Sequence, residues 1–260
     1  MRLFPQPTGR LAVEDVYRDI SFPALKTPKE RPYTLINVVA SLDGKATVGG
    51  KAGSIGTLID RTLMRALRAK ADAVMTGGGT LRAEKLSLAI PEDLARAREA
   101  RGLRPQPLAV IATANGDVPL RANLLGSSPD NLLILASTET PKERLTALSS
   151  FGSVEAVDKE ETATPEPRLN LKGALESLKE RYAVEVLLVE GGPALNHSLV
   201  SLGLADELFL TLAPKLLGGE RPGALSTLEG PLLPSNDIGP TLVSVHLAEG
   251  ELFLRYALRP

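Results

Sequence analysis

The sequence predicts an α/β fold with a mostly parallel central sheet that closes on an antiparallel hairpin. From Tyr33 onward, apolar runs of strand length alternate with amphipathic segments of helix length, as in parallel strands joined by helices. Near the end, residues 241–247 and 251–258 are rich in strand-forming residues around the turn Ala248-Glu249-Gly250. We therefore expect one domain over residues 32–260, preceded by a proline-rich arm over residues 1–31.

The first strand is predicted over residues 33–40, with the sequence YTLINVVA. The loop that follows, up to residue 56, contains five glycines, at positions 44, 49, 50, 53 and 56. Glycine-rich loops at the carboxyl end of a strand often approach a ligand closely. A flexible surface loop is the alternative interpretation of this stretch.

The middle of the chain repeats the alternation of helix and strand. Thr57 is expected to cap a helix that reaches about Ala69, and ADAVMTGGGT predicts a strand, a triple glycine and a turn. The remaining predicted elements of this part are a helix over 91–101, strands over PLAVIAT and NLLILAS, a helix opened by a capping box at 140–143, a charged surface loop over 158–168, and a helix over 171–182. Further along, a helix is predicted over 194–202 and a strand over 206–214, with the sequence DELFLTLAP.

The stretch Glu185–Leu195, EVLLVEGGPAL, is the strongest signal in the chain. Four apolar residues in a row predict a strand buried on both faces, and Pro193 is suited to the first position of a helix. Two glycines between a strand and a helix start leave backbone N–H groups at the positive end of the helix, which predicts a phosphate or pyrophosphate site. A plain strand-to-helix corner is the structural alternative.

Composition excludes several classes of function. The net charge is −1, so no global positive field attracts nucleic acid or anionic lipid. The chain has no cysteine and only two histidines, which excludes disulfides, cysteine nucleophiles and zinc–thiolate sites and argues against a histidine-rich metal centre. The first residues do not have the layout of a signal peptide, and we expect a cytoplasmic protein with no metal of its own and no nucleic-acid or membrane partner.

Three predicted strand ends carry small or glycine-rich turns, over residues 40–56, 76–80 and 190–193. The carboxyl ends of parallel strands share one edge of a sheet, where ligands bind. The dinucleotide fingerprint GxGxxG followed by an acidic residue is absent from the sequence, which disfavours a standard Rossmann site. His197, within ALNHSL, is expected to pack or cap rather than to catalyse.

Four motifs, VVASLDGKAT, LRAKADAVMTGGGTLRAE, LLVEGGPALNHSL and LTLAPKLLGG, resemble the reductase domain of riboflavin-biosynthesis deaminase–reductases in order and spacing. The resemblance covers roughly residues 32–258 and implies the three-layer αβα fold of dihydrofolate reductases. The zinc deaminase half of those proteins is missing, so the resemblance implies a stand-alone pyrimidine reductase. It also implies a homodimer, in agreement with an apolar hairpin whose edge needs cover.

The resemblance implies NADPH as cofactor and assigns a residue set to it. The cofactor contacts it implies are Val39, Ala40, Gly77, Gly78, Gly79, Thr80, Gly191, Gly192, Pro193, Ala194 and Leu195, with Thr113 at the adenosine 2′-phosphate. Lys45 and Glu190 take the catalytic positions that contact the pyrimidine and its ribosyl amine, and Arg68 and Leu88 resemble further substrate contacts. An ordinary turn threonine and a solvated helix arginine are the structural alternatives for Thr113 and Arg68.

The implied reaction is hydride transfer from NADPH to C1 of the ribosylamino group of 5-amino-6-(5-phosphoribosylamino)uracil. The protein has to align donor and acceptor and exclude water, which requires neither a metal nor a nucleophile. The chain departs from many family members at residues 84–88, which read EKLSL in place of an Asp-Asp-Pro stretch, and at Gly53-Ser54-Ile55, which lacks a tryptophan. Both departures concern the substrate side more than the cofactor side.

Two alternative functions stay open at this point. Asp60 lies on the helix that leads to the glycine turn, and dihydrofolate reductases bind the pterin with a carboxylate at a comparable place. A substrate-facing Asp60 would favour a reductase of dihydrofolate or another heterocycle, whereas an aspartate near a helix start is also favoured by the helix dipole alone. The other alternative is a nucleotide-binding protein that has kept the cofactor cleft without catalysis.

Overall fold

The structure is a computed structural model that describes residues 1–18, 20–22, 30–49, 51–83, 85–119, 128–158, 169–219, 224–233 and 239–258. Glu84 and all but the first residue of the predicted loop over 158–168 lie outside these ranges. Within them, none of the helices combines the length and the apolar character needed to cross a membrane.

Strands and helices alternate along the chain as predicted. The strands are β1 (Arg2–Phe4), β2 (Tyr33–Ser41), β3 (Ala73–Gly77), β4 (Leu108–Thr113), β5 (Leu132–Ser137), β6 (Ser153–Val157), β7 (Val186–Val189), β8 (Glu207–Ala213), β9 (Thr241–Ala248) and β10 (Glu251–Ala257). The helices are α1 (Leu58–Arg68), α2 (Gly78–Ala83), α3 (Glu92–Glu99), α4 (Lys142–Ser149), α5 (Leu171–Tyr182) and α6 (Pro193–Ser201).

The chain divides into two compact units. The first unit comprises Met1–Phe22, Thr34–Leu67 and Leu188–Pro260, and the second comprises Pro23–Tyr33 and Arg68–Leu187. This division does not decide the predicted boundary between an arm over 1–31 and a domain over 32–260, which stays a prediction.

The second unit contains a parallel sheet. Strands β3, β4, β5 and β6 pair in that order, all in parallel register. Every residue of β4 and β5 is buried, which suits apolar runs covered on both faces. Where the chain enters β3, the buried guanidinium of Arg98 donates to the carbonyl oxygens of Ala69 and Ala71, at 3.0 and 2.6 Å. These charge-assisted bonds fix the corner before the glycine turn.

The first unit contains the antiparallel part of the fold. β8 pairs in parallel with β2 on one side and antiparallel with β10 on the other, and β10 continues antiparallel into β9 and then β1. Asp206, just before β8, accepts a hydrogen bond from the backbone N–H of Thr34 at 2.8 Å, while its own N–H donates to the Thr34 carbonyl. This double contact sets the register of β2 and β8.

The predicted fold class and hairpin are confirmed, with two strands added. The sequence did not predict β6 or β1, because β6 is short and partly exposed and β1 has only three residues. β1 pairs with β9, so the N-terminal segment supplies the strand that covers the hairpin edge. The need for cover at this edge is thus met within one chain.

Two local predictions were wrong. No separate turn follows the triple glycine, because Gly77 ends β3 and Gly78 begins α2, so the glycines themselves form the turn from strand into helix. Helix α4 begins without the predicted capping box: its N-cap residue is Pro141, which makes no side-chain cap, and the buried hydroxyl of Thr140 has no hydrogen-bond partner among the described residues. Proline at the N-cap moves the helix start by one residue, out of reach of that hydroxyl.

Candidate active site

The loop after β2 holds Lys45 through a set of short hydrogen bonds in the first unit. Ser41 Oγ accepts from the backbone N–H of Lys45 at 3.0 Å and donates to Asp43 Oδ1 at 2.6 Å. Asp43 in turn accepts from the backbone N–H groups of Leu217 and Gly218, at 3.1 and 2.7 Å. The Ser41 hydroxyl and these backbone groups lower the pKa of Asp43 to about 2, so the loop carries a permanent negative charge beside Lys45.

A second feature of the first unit is the carboxyl group of Asp60 on α1. It accepts a hydrogen bond from the side chain of Thr211, and Thr211 is the register partner of Val39 on β2. Burial raises the pKa of Asp60 to about 6, and the charges of Glu251 and Glu190 act in the same direction. Asp60 therefore lies near the predicted catalytic residue Glu190 and one strand away from the predicted cofactor contact at Val39.

Glu251 fixes the start of α1, the helix that carries Asp60. Its side chain is fully buried and accepts from the backbone N–H of Thr57 at 3.0 Å and from the Thr57 hydroxyl. Thr57 Oγ1 also accepts from the N–H of Ile59, as expected for the residue predicted to cap this helix. The sequence alone does not indicate a role for Glu251, because only the pairing of β10 with β8 brings it to this position.

Tyr17, from the N-terminal segment, packs on β8 in the first unit. Its ring packs edge-on against Phe209 on β8, with centroids 5.4 Å apart. Burial and then the charge of Asp60 raise the pKa of Tyr17, which places the phenol near that carboxyl group. On the same strand, Glu207 accepts two hydrogen bonds of 2.7 Å from Arg255, a bidentate pair that fixes β10 against β8.

The turn from β7 into α6 has the form that the sequence predicted. Gly191 has φ +87°, a conformation that favours glycine, although a Cβ atom there would meet nothing within 4 Å. The Gly191–Gly192 peptide is cis. Gly192 is the N-cap and Pro193 the first helical residue, and the Gly192 carbonyl accepts from the N–H of Asn196 at 3.0 Å. The turn therefore presents backbone atoms rather than side chains.

The corresponding turn of the second unit joins β3 to α2. A Cβ atom at Gly78 would lie 3.3 Å from Thr113 Oγ1 and 3.4 Å from the carbonyl oxygen of Asp117, so this glycine allows the close approach of two loops. Gly79 has more room, since a Cβ atom there would meet only Arg82, at 3.7 Å. The predicted cofactor residues Gly78 and Thr113 are thus neighbours in the structure.

Two arginines border this second turn. Arg82 donates to the Asp117 carbonyl at 2.6 Å, and its guanidinium lies 3.3 Å from the Asp117 carboxylate. Arg144 on α4 donates to the other oxygen of that carboxylate at 3.3 Å and to the carbonyl of Gly116 at 2.9 Å. Sequence reasoning did not single out these residues, because their positions depend on how the loop after β4 folds back on α2.

Arg68 and Leu88 are both buried in the second unit. Arg68 donates to the carbonyl oxygens of Ser87 and Ala89, at 2.9 and 3.2 Å, on either side of Leu88. Leu88 is 2 % exposed. Arg68 therefore has a structural role in shaping this loop, and its predicted contact with substrate stays a prediction.

The comparison with known families decides to which family the chain belongs. Residues 32–236 match the model described as the RibD C-terminal domain. The chain belongs to this family. The resemblance noted in the sequence is thereby confirmed, and the matched region includes every predicted site residue.

Individual relatives agree with this family. A protein of Archaeoglobus fulgidus, named 2,5-diamino-6-ribosylamino-4(3H)-pyrimidinone 5′-phosphate reductase, is 34% identical over 191 residues, which cover 73% of this chain and 83% of the relative. A protein of the same name from Aquifex aeolicus is 32% identical over 206 residues, covering 77% of this chain and 85% of the relative.

Solved structures confirm the fold. The pyrimidine reductase-like protein of Corynebacterium diphtheriae superposes with a TM-score of 0.72 at 24% identity, covering 95% of this chain and 98% of that one. RibD of Acinetobacter baumannii superposes with a TM-score of 0.69 at 23% identity, covering 88% of this chain and 58% of that one. The dihydrofolate-reductase-like fold of RibD reductase domains is therefore the fold of this chain.

The predicted site residues fall into two sets. Val39, Ala40, Lys45, Asp60 and residues 190–195 belong to the first unit, and Arg68, Gly77–Thr80, Leu88 and Thr113 belong to the second. Within the first set, Asp60 is linked to the strand of Val39 through Thr211. Within the second, Gly78 packs against Thr113.

Proposed function

We propose that this chain is an NADPH-dependent reductase of the phosphoribosylamino-pyrimidine of riboflavin biosynthesis. The observation that carries the proposal is the match to the RibD C-terminal domain family together with the name of the Archaeoglobus fulgidus relative. That name specifies a 2,5-diamino-pyrimidinone, which differs from the uracil form at ring carbon 2. Both forms belong in the assay.

The residues of each turn suit a dinucleotide. The backbone of Gly191 and Gly192 at the start of α6 offers N–H groups to a pyrophosphate, and Gly78 lets the chain approach Thr113 closely. We assign these two turns and the end of β2 at Val39 and Ala40 to NADPH. When bound, NADPH supplies the hydride that reduces C1 of the ribosylamino group.

Lys45 and Glu190 hold the pyrimidine in this proposal. Lys45 stands on a loop fixed by Ser41 and Asp43, so its ammonium group is presented to the substrate with little freedom of the backbone. Glu190, at the end of β7, binds the ribosyl amine as that nitrogen gains positive character. Alignment of this kind accounts for a large part of the rate of a two-substrate reaction.

The reaction takes up one proton as well as the hydride. The C1–O bond of the closed ribose breaks, the ring oxygen receives a proton, and the hydride adds to C1 of the open form. We expect that proton from Asp60, because its carboxyl group lies near Glu190, which this proposal places at the ribosyl amine, and burial raises the pKa of Asp60 to about 6.

The proposal is tested with purified protein and NADPH. The 2,5-diamino-pyrimidinone phosphate, its deaminated uracil counterpart and dihydrofolate are offered in parallel, and NADPH oxidation is followed by absorbance. We expect turnover with a phosphoribosylamino-pyrimidine and none with dihydrofolate. Turnover with dihydrofolate alone would support the pterin alternative, and NADPH binding without any turnover would support a non-catalytic nucleotide-binding protein.

Variants of the two catalytic positions separate binding from chemistry. Lys45→Met and Glu190→Gln are expected to lower kcat/KM by about two orders of magnitude or more, while NADPH binds as before. Loss of NADPH binding in both variants would contradict the assigned roles.

A homodimer and a cytoplasmic location remain part of the proposal. Sedimentation at micromolar concentration tests the former, and fractionation of the source cells tests the latter.

A further inference from the structure

A segment of the first unit, residues 224–231, is bonded both to helix α6 and to the loop of Lys45. We call this segment the brace. It contains two glutamate–serine contacts of its own: Glu229 Oε1 accepts from the backbone N–H of Ser226 at 2.7 Å and from the Ser226 hydroxyl at 2.9 Å. These contacts give the brace a fixed shape between its two attachments.

The first attachment is to the Lys45 loop. Lys45 and Ser226 form an antiparallel bridge. Beside it, the N–H of Ala46 donates to the Leu225 carbonyl at 2.7 Å, and the N–H of Leu225 donates to Thr47 Oγ1 at 2.9 Å. The chain from Lys45 to Thr47 is therefore positioned by the brace.

The second attachment is to α6, and here the side chains come from the helix. His197 Nε2 donates to the Pro231 carbonyl at 2.7 Å, and Asn196 Nδ2 donates to the Thr227 carbonyl at 3.3 Å. The backbone N–H of Glu229 also donates to the carbonyl of Pro193 at 3.2 Å. Asn196 and His197 are both buried, so these bonds are shielded from water.

The contact between His197 and Gly230 leaves no space. A Cβ atom at Gly230 would lie 2.4 Å from His197 Nδ1 and 2.5 Å from its Cγ. The backbone of the brace thus lies directly against the imidazole ring. Any side chain at position 230 would force the brace or the ring to move.

We propose that His197 and Asn196 are positioning residues for the reductase reaction, because they hold the brace that places Lys45 relative to the turn at Pro193. The inference rests on the proposed function, because the contact between Lys45 and the substrate is part of that proposal. Both residues act through the brace and touch neither substrate nor cofactor. The brace joins the loop assigned to the pyrimidine to the helix start assigned to NADPH.

The experiment compares His197→Ala, Gly230→Ala and His197→Gln with the unmodified enzyme. His197→Ala removes the bond to Pro231, and Gly230→Ala disturbs the same contact from the opposite side. Both are expected to lower kcat/KM for the pyrimidine roughly ten- to a hundredfold, while the Kd for NADPH stays within about twofold. His197→Gln retains an N–H donor and is expected to recover part of the loss. Gly239→Ala is the matched control, because a Cβ atom there meets nothing within 4 Å.

Hydrogen exchange provides a readout that does not depend on catalysis. The amide of Ala46 is expected to exchange faster in His197→Ala and Gly230→Ala than in the control. Unchanged exchange would overturn the mechanical link through the brace. Faster exchange with unchanged kcat and KM would overturn the positioning role. If the unmodified enzyme reduces no pyrimidine, the proposed function fails and the positioning role fails with it, while exchange still reports on the link.

Discussion

The carboxyl group of Asp60 occupies the space in which a side chain at Gly56 would stand. An ideal Cβ atom at Gly56 would lie 2.2 Å from Asp60 Oδ2 and 2.7 Å from Asp60 Cγ. The absence of a side chain at position 56 is thus what allows Asp60 to reach Thr211. One glycine of the loop that the sequence predicted to approach a ligand is instead required by a carboxyl group of the protein itself.

Gly56→Ala is therefore expected to displace Asp60. The added methyl group forces the carboxyl group out of its contact with Thr211, and overpacking of this kind lowers the free energy of unfolding by about 1–3 kcal/mol. Denaturant titration measures the loss. Gly9→Ala is the control, since a Cβ atom at Gly9 meets nothing within 4 Å. Equal stability of the two variants would show that Asp60 moves without consequence.

The free energy of unfolding is expected to depend on pH through two buried groups, Asp60 and His246, whose effects have opposite signs. Burial, with the charges of Glu251 and Glu190, raises the pKa of Asp60 from 3.8 to about 6. The folded state then binds more protons than the unfolded state between these values, so stability falls as the pH rises through them. At about 1.4 kcal/mol per pKa unit, this amounts to at most roughly 3 kcal/mol.

His246 acts in the opposite direction. Burial, followed by the charges of Arg2 and the N-terminal ammonium group, lowers the pKa of His246 from 6.5 to about 4. The unfolded state binds more protons in this window, so stability rises with pH. In Asp60→Asn, the free energy of unfolding should therefore rise with pH between about pH 4 and 6.5, and in His246→Gln it should fall between about pH 4 and 6.

Denaturant titration at each pH measures these profiles. The double variant should lose both slopes. If the profile of each single variant runs parallel to that of the unmodified protein, the assignment of the slopes to Asp60 and His246 is refuted.

Gly78→Ala is expected to weaken NADPH binding more than Gly79→Ala. A methyl group at Gly78 meets Thr113 and the backbone of Asp117 at 3.3–3.4 Å, and backbone atoms yield less easily than a flexible side chain. The methyl group at Gly79 makes only an ordinary contact with Arg82. In fluorescence titrations with NADPH, the Kd of Gly78→Ala should be several-fold higher than that of the unmodified protein, whereas the Kd of Gly79→Ala should stay unchanged. The same Kd for both variants would remove this turn from the cofactor site.

Arg68→Met is expected to destabilise the second unit. The substitution leaves the carbonyl oxygens of Ser87 and Ala89 without the guanidinium that bonds them, and hydrogen bonds to a charged group each contribute about 1.5–3 kcal/mol. Thermal unfolding should show a clear fall in Tm. Arg96→Met is the matched control, because Arg96 is 68% exposed and forms only a surface pair with Glu92. If both variants unfold at the same temperature, the role of Arg68 is not structural.

The fold could be predicted from sequence because its signals are local. The apolar run of β7, the proline that opens α6 and the turn before β10 are each decided by neighbouring residues. β1 could not be predicted, since three residues carry too little pattern and its partner β9 lies more than two hundred positions away.

The candidate site could be predicted only in part. The glycine turns and Lys45 belong to short contiguous motifs. Glu251, Tyr17 and the brace reach their positions through strand pairing and loop packing between distant parts of the chain. Those are tertiary relationships that spacing along the sequence does not reveal.

The pairing of β1 with β9 has a consequence for association between molecules. The strand that closes the sheet edge pairs Arg2 with His246 and Phe4 with Val245, and the same strand of a second molecule offers the identical set of partners. Exchange of these strands between two copies would preserve every bond across the edge while linking the copies. Reciprocal swapping of the first residues is thus a route to a dimer that leaves the carboxyl cluster around Asp60 within each chain.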